Sequence, residues 1–275
     1  MAGALHAPST VRDLLERHGL RAEKSFGQNF LVDIHALQAV VDAAELRGDE
    51  TVLEIGPGLG VLTRELTRRA GSVVSVELDR RLLAVLRETV GDADNLEVRL
   101  GDAMQFDFSL LPPGSLVVAN LPYNIATGFI VRALESGVFR RLVVMVQKEV
   151  AERLVAAAGS DPYGAVSLIV AHFAHARIVR HVSPGSFYPP PEVTSSIVRL
   201  DVRSDARPQP ELFRLVRDGF RHRRKTLAKN LQMAGYSRPL VSAALAEEGL
   251  DARIRAEQLD LEAFVGLRHR LQAGT

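Results

Sequence analysis

Four consecutive residues, Asn120-Leu121-Pro122-Tyr123, follow an apolar run, Leu116-Val117-Val118-Ala119, that reads as a buried parallel strand. The tetrapeptide therefore stands at a strand's carboxyl end, and in an open α/β sheet ligands occupy the crevice outside those ends. A carboxamide there accepts a hydrogen bond from an exocyclic N–H, and a phenol lies against a ring face. The pair suits a flat, amino-bearing base such as adenine or cytosine. Taken alone, the same residues also serve as a helix start, with Asn120 near the cap and Pro122 pre-setting φ.

A second group of residues calls for a ligand upstream. Glu54-Ile55-Gly56-Pro57-Gly58-Leu59-Gly60 lies between a β-rich run and a helical pattern, so its glycines permit a tight turn and close approach of a ligand to backbone. The spacing is G-x-G-x-G and Pro57 lacks an N–H, which makes the loop a poorer pyrophosphate cradle than the G-x-G-x-x-G of dinucleotide enzymes. Glu77 ends the next β-rich run, where an acid takes both hydroxyls of a ribose. Asp102, in Gly101-Asp102-Ala103 after the following run, is positioned to accept from the amino group of an adenine. Each acid singly also suits a helix cap or a solvated turn. Three acids or amides ending three successive strands, after a glycine loop, predict a nucleoside site.

These groups need a sheet to hold them. The runs 51–55, 72–77, 96–100, 116–119 and 142–146 are β-rich and separated by helical patterns or loops, the signature of a doubly wound parallel sheet. Residues 176–182 and 195–202 read as two more strands without an intervening helix, which predicts an antiparallel addition at the sheet edge. A short helix opens at Ser9, and another covers 33–46 and is ended by Gly48. Residues 204–210 are polar with two prolines and read as a linker, and the rest is helical by periodicity. The expected organisation is an α/β domain over 1–204 and a small all-α domain over 205–275.

At 275 residues and 47% hydrophobic, the chain is long enough for one large and one small core. It has no cysteine, which excludes disulfides and thiolate metal sites and fits a reducing cytoplasm. His172 and His175 lack acidic companions, so no metal is expected. No basic leader with an apolar core opens the chain and no apolar run of membrane-spanning length occurs, so neither export nor membrane insertion is expected. Net charge is only +1, yet seven basic residues and one acid fall between Arg214 and Lys229. On one continuous helix Arg214, Arg217, Arg221, Arg224 and Lys225 would line one side and Phe213, Val216, Phe220 and Leu227 another. The one-signed side is expected to meet RNA phosphates, the alternative being a solvated charged face.

Several of these motifs, taken in order, carry a resemblance. Asn29 and Leu31 in Phe26-Gly27-Gln28-Asn29-Phe30-Leu31, the glycine loop, Val76-Glu77-Leu78-Asp79, Gly101-Asp102-Ala103, Asn120-Leu121-Pro122-Tyr123 and Phe187-x-Pro189-x-Pro191 together resemble the ribosomal RNA adenine N6-dimethyltransferases. The likeness is greatest to the branch that acts on bacterial small-subunit (16S) rRNA, and it covers roughly residues 20 to 202. It implies a Rossmann-like class I methyltransferase fold. It implies N6,N6-dimethylation of adenines from S-adenosyl-L-methionine, on 16S rRNA in the small ribosomal subunit or its precursor, by a cytoplasmic monomer engaged in ribosome biogenesis. Carried over by position, it implies that Asn29, Leu31, Gly56, Gly58, Glu77, Asp102 and Asn120 surround the cofactor. Asn120, the Leu121 carbonyl and Tyr123 would meet the target adenine, Phe187 would stack on it, and Arg217, Arg221, Arg224 and Lys225 would hold the RNA. The chain departs from the usual pattern at Ala119, where glycine is common, at Gly128 after Thr127, and at Glu192 and Thr194, where lysine and aspartate are frequent. Those changes bear on RNA contacts more than on the chemistry.

Other functions fit parts of the pattern. A dinucleotide-dependent oxidoreductase shares the glycine loop and the acid but lacks the third glycine spacing and has no use for Asn120 with Tyr123. A drug-resistance methyltransferase acting on large-subunit rRNA would share nearly every catalytic residue. A non-catalytic ribosome-assembly or transcription factor could keep the fold as a nucleic-acid clamp, although the intact cofactor residues argue against it.

Overall fold

The computed structural model describes residues 5–23 and 27–273, so the first part of the loop before Gly27 lies outside the described residues. The chain forms two compact units, Met1–Ala151 with His175–Ser204, and Glu152–Ala174 with Asp205–Thr275. The segment 152–174 thus groups with the C-terminal helices, an association that chain order alone does not give.

The first unit opens with α1 (Pro8–Arg17), a two-residue strand β1 (Phe30–Leu31) and α2 (Ile34–Ala44). Asp33 caps α2 by accepting from His35 N at 2.8 Å and Ala36 N at 3.2 Å. The helix stops at Glu45, which takes a left-handed φ of 52°, before the expected stop at Gly48. Alternating elements follow: β2 (Thr51–Ile55), α3 (Val61–Thr67), β3 (Ser72–Glu77), α4 (Leu82–Val90), β4 (Leu96–Leu100), β5 (Ser115–Asn120), α5 (Ala126–Glu135) and β6 (Phe139–Gln147). The strands β2 to β6 pair in parallel, and Val117, Val118, Leu142 and Val143 in their middle are fully buried, as expected of strands covered on both faces.

After α6 (Lys148–Leu154) and α7 (Ala165–Phe173), the chain adds β7 (Ala174–Val182), a short strand β8 (Phe187–Tyr188) and β9 (Ser195–Val202). The seven-stranded sheet has the order β4-β3-β2-β5-β6-β9-β7, with β9 antiparallel to β6 and β7 at the edge. The chain winds outward through β3 and β4 on one side and restarts at β5 on the other, so the order reverses between β2 and β5. That reversal opens a crevice outside the strand ends. Strands β1 and β8 form a separate antiparallel pair, Phe30 opposite Tyr188 and Leu31 opposite Phe187.

The second unit packs α7, α8 (Pro210–Gly219), α9 (Leu227–Met233), α10 (Arg238–Glu247) and α11 (Leu261–Ala273) around Phe173, Phe213 and Phe264. The rings of Phe173 and Phe213 lie 5.3 Å apart, and Tyr163 donates its phenol to the Leu259 carbonyl at 2.9 Å. Here the sequence expectation of one continuous basic helix is corrected. Helix α8 ends at Gly219, and Arg221, Arg224 and Lys225 lie in the turn segment before α9. The cause is a pair of polar side chains. Asn230, 1% exposed, donates its amide to the carbonyls of Gly219 (2.6 Å) and His222 (3.2 Å), and Thr226 caps a new helix by accepting from Lys229 N.

Candidate active site

The strand order aims the carboxyl ends of β2, β3 and β5, and the turn after β4, at one cleft. Its lining includes Asn29, Leu31, Gly56, Gly58, Glu77, Asp102, Asn120, Leu121 and Tyr123, which come from five separate stretches of chain. The structure brings these nine expected residues together.

The three glycines of the loop after β2 serve different ends. Gly58 has φ +58°, and a Cβ there would stand 3.2 Å from the Phe30 ring, so the backbone runs tight against β1 and only glycine fits without strain. Gly60 starts α3, and a Cβ would meet Val90 Cγ2 at 2.7 Å and Thr89 Oγ1 at 2.9 Å. It is needed for helix packing, while Gly56 and Gly58 line the cleft.

Two carboxyl groups stand beside that loop. Glu77 is 6% exposed, and its two oxygens accept from Gly58 N at 3.2 Å and Asp79 N at 2.8 Å. Burial raises its pKa above the ordinary value, while those backbone donors oppose the shift. Each oxygen keeps lone pairs for further donors. Glu54, 1% exposed, also lines the cleft and accepts from Ser75 Oγ at 2.7 Å. Burial pushes its pKa up to about 7. Sequence reasoning passed over Glu54; the available signal was a carboxylate in an otherwise apolar strand.

Asp102 is exposed, and its carboxylate closes its own turn by accepting from Met104 N at 2.8 Å and the Gln105 side chain at 3.3 Å. The residue ties a solvated turn, as one of the two sequence readings has it, and it also borders the cleft.

Asn120 donates its Nδ2 to the Asn29 carbonyl at 3.3 Å. A carbonyl only accepts, so this contact fixes the sense of the amide and leaves Oδ1 as the acceptor offered to a ligand. Tyr123 is half-buried, with its Oη 2.7 Å from Ser195 Oγ, and burial pushes the phenol pKa up.

Phe187 departs from expectation. It is 3% exposed, does not line the cleft, and belongs to the apolar cluster that contains Leu31, Val182 and Ile197. Cross-strand partners share a sheet face, so pairing with the buried Leu31 turns Phe187 into the core. Its ring is packed in that cluster from β8, so the structure does not place it on the cleft wall where a stacking partner would stand. The four cationic residues expected to hold RNA, Arg217, Arg221, Arg224 and Lys225, belong to the second unit and are all exposed there. No cluster of histidine and acidic side chains able to hold a metal occurs among the described residues, and no helix there is long and apolar enough to cross a membrane.

Comparison with known proteins bears on the whole chain. A ribosomal RNA small subunit methyltransferase A of Deinococcus radiodurans is 46% identical over 261 residues, covering 94% of this chain and 89% of its own. One of Moorella thermoacetica is 41% identical over 96% of this chain and 98% of its own. Among solved structures, a dimethyladenosine transferase from Plasmodium falciparum superposes with a TM-score of 0.72 at 27% identity, over 86% of this chain and 95% of that one. The 23S rRNA methyltransferase ErmE superposes with a TM-score of 0.67 at 29% identity, over 89% of this chain and all of that one. The model of the ribosomal RNA adenine dimethylase family matches residues 19–272, and on these matches the chain belongs to that family.

Proposed function

We propose that this chain is an S-adenosylmethionine-dependent methyltransferase that dimethylates N6 of adenines in small-subunit (16S) rRNA during ribosome biogenesis. The observation that carries the reading is the oriented amide of Asn120, whose free acceptor stands at a strand end beside a glycine loop and a buried ribose-type acid. The relatives named as small-subunit methyltransferases, matched over nearly their whole length, support the choice of substrate.

The cleft fits the cofactor. Glu77 offers lone pairs suited to a pair of ribose hydroxyls, the backbone at Gly56 and Gly58 is bare of side chain, and Leu31 and Leu78 give apolar walls for an adenine. When bound, the cofactor would supply a methyl group on a positive sulfur: as the N6 lone pair bonds to that carbon in line, the carbon–sulfur pair would return to sulfur to leave a neutral thioether, and N6, now positive, would shed a proton to solvent. The residues of the chain then have mainly to position. An adenine N6 lone pair is delocalised into its ring, so Asn120 Oδ1 and the Leu121 carbonyl accept from the amino hydrogens and favour the pyramidal, reactive amine. Tyr123 supplies the ring face that replaces stacking lost when the base leaves its helix, worth about 1–3 kcal/mol. Arg217, Arg221, Arg224 and Lys225 supply the phosphate contacts.

The likeness to ErmE favours a second reading, a methyltransferase of large-subunit rRNA. Incubation with labelled S-adenosylmethionine and undermethylated small or large subunits, followed by mapping of the methylated nucleotides, separates the two. Label on adenines of small-subunit RNA is expected; label on large-subunit RNA alone would overturn the proposal.

A further inference from the structure

We infer that Ser195 is a positioning residue for methyl transfer: its hydroxyl holds the Tyr123 phenol so that the ring face, and not the oxygen, is presented to the target base. The inference rests on the reading of the cleft as a methyl-transfer site. The two oxygens are 2.7 Å apart although the residues are 72 positions apart in the chain. Ser195 is 0% exposed, so its hydroxyl has no solvent partner to fall back on, and a buried hydroxyl left unpaired is costly.

Geometry on both sides of the bond favours this role. Tyr123 stands in a turn anchored by Leu121 N to the Met145 carbonyl (3.1 Å) and Ile125 N to the Pro122 carbonyl (3.2 Å), neither of which involves its side chain. Its ring orientation is set by the hydrogen bond at its tip. Ser195 by contrast is fixed at the start of β9, where it pairs with Gln147 at the end of β6, and the preceding Thr194 carbonyl accepts from Lys148 N at 2.9 Å. A side chain on a turn is thus tied to the end of a paired strand.

The neighbouring Ser196 provides an internal contrast. Successive side chains on a strand point to opposite faces, and Ser196, equally buried, hydrogen-bonds His181 Nδ1 at 2.8 Å. Two adjacent buried serines therefore differ in what they hold: one the cleft's aromatic ring, the other a partner on β7.

A double-mutant cycle tests the inference, using the full chain, undermethylated small subunits and single-turnover methyl transfer, with cofactor affinity and Tm measured on every variant. Tyr123→Phe and Ser195→Ala are each expected to slow transfer about three- to tenfold, as loss of one net hydrogen bond implies. The double variant is expected to be no slower than either single one, because one interaction has been removed in all three. Cofactor affinity should be unchanged throughout, and Ser196→Ala should transfer at the wild-type rate. Additive losses in the double variant, or full-rate transfer by Tyr123→Phe, would overturn the inference. So would a Ser195→Ala whose slowing is accounted for by its loss of Tm; Tyr123→Phe, which deletes one oxygen from a turn, keeps the test decisive if Ser195→Ala folds poorly. Wild-type protein that binds cofactor yet labels no RNA would instead strike at the reading of the cleft itself.

Discussion

The amide of Asn120 spans 91 residues of sequence to donate to the carbonyl of Asn29 at 3.3 Å. One end of the side chain is thereby committed to the loop before β1, and the other is free to accept. Orientation of a terminal amide is a broad, roughly two-fold torsion in the absence of such a contact. The bond converts an ambiguous group into a directional one.

If that acceptor stabilises the reacting amine, Asn120→Ala should lower the single-turnover rate of methyl transfer about 10²–10³-fold, the usual loss when one transition-state hydrogen-bonding group is removed. Asn120→Asp should also be slow, since a carboxylate cannot donate to the Asn29 carbonyl. Transfer within a few fold of wild type by the alanine variant would remove Asn120 from the chemistry.

Glu77→Gln replaces the acceptor carboxylate by an amide that keeps the volume but halves the acceptors. Cofactor affinity measured calorimetrically should weaken about 10- to 100-fold, the range for hydrogen bonds to a charged group. The new NH2 group faces one of the two backbone donors that both carboxylate oxygens now satisfy, so the Tm of the cofactor-free protein should fall as well.

Phe187→Ala is expected to cost stability, about 3–5 kcal/mol for emptying a buried aromatic site, and to lower activity only as far as folding is impaired. Phe187→Leu should recover most of both, because the site needs apolar volume. A leucine variant with normal Tm and no methyl transfer would return Phe187 to the substrate platform.

Glu54 makes stability depend on pH in a defined window. Its folded pKa of about 7 exceeds the reference value of 4.5, so between those values the native chain holds a proton that the unfolded chain has released. Stability therefore falls as pH rises from about 4.5 to about 7 and is flat beyond, by on the order of 3 kcal/mol for this group. Urea unfolding across pH 5 to 8 should give a Glu54→Gln variant a shallower decline than wild type. Parallel curves would mean that Glu54 is ionised in the folded protein.

Binding of RNA should weaken with salt, and Arg224→Ala and Lys225→Ala should each reduce the slope of log K against log salt by about 1 if each neutralises a phosphate. Neither side chain forms an ion pair among the described residues, so their removal should leave Tm unchanged.

The parts of this molecule that read well from sequence are those with a strong local cause. Runs such as 72–77 are β-branched and bounded by breakers, and they became strands with the expected limits. Asn120, Glu77 and Gly58 were legible because a strand end is the place where a sheet delivers side chains to a ligand. Phe187 was misread because its surroundings depend on a two-residue pairing with β1, too short to leave any periodic trace. The basic helix was overextended because the periodicity of its arginines is continuous, whereas its end is imposed by Asn230, eleven residues beyond Gly219. Ser195 gave no signal at all: what makes it matter is a partner 72 residues away.

The pairing of β1 with β8 carries a consequence for synthesis. The strand that brings Asn29 and Leu31 to the cleft has its strand partner in residues 187–188. A nascent chain that has emerged through β5 holds every glycine and acid of the cofactor hollow, yet β1 in its N-terminal wall still lacks the strand it pairs with. The site is finished late in translation, and fragments ending before residue 187 should carry the motif without retaining the cofactor.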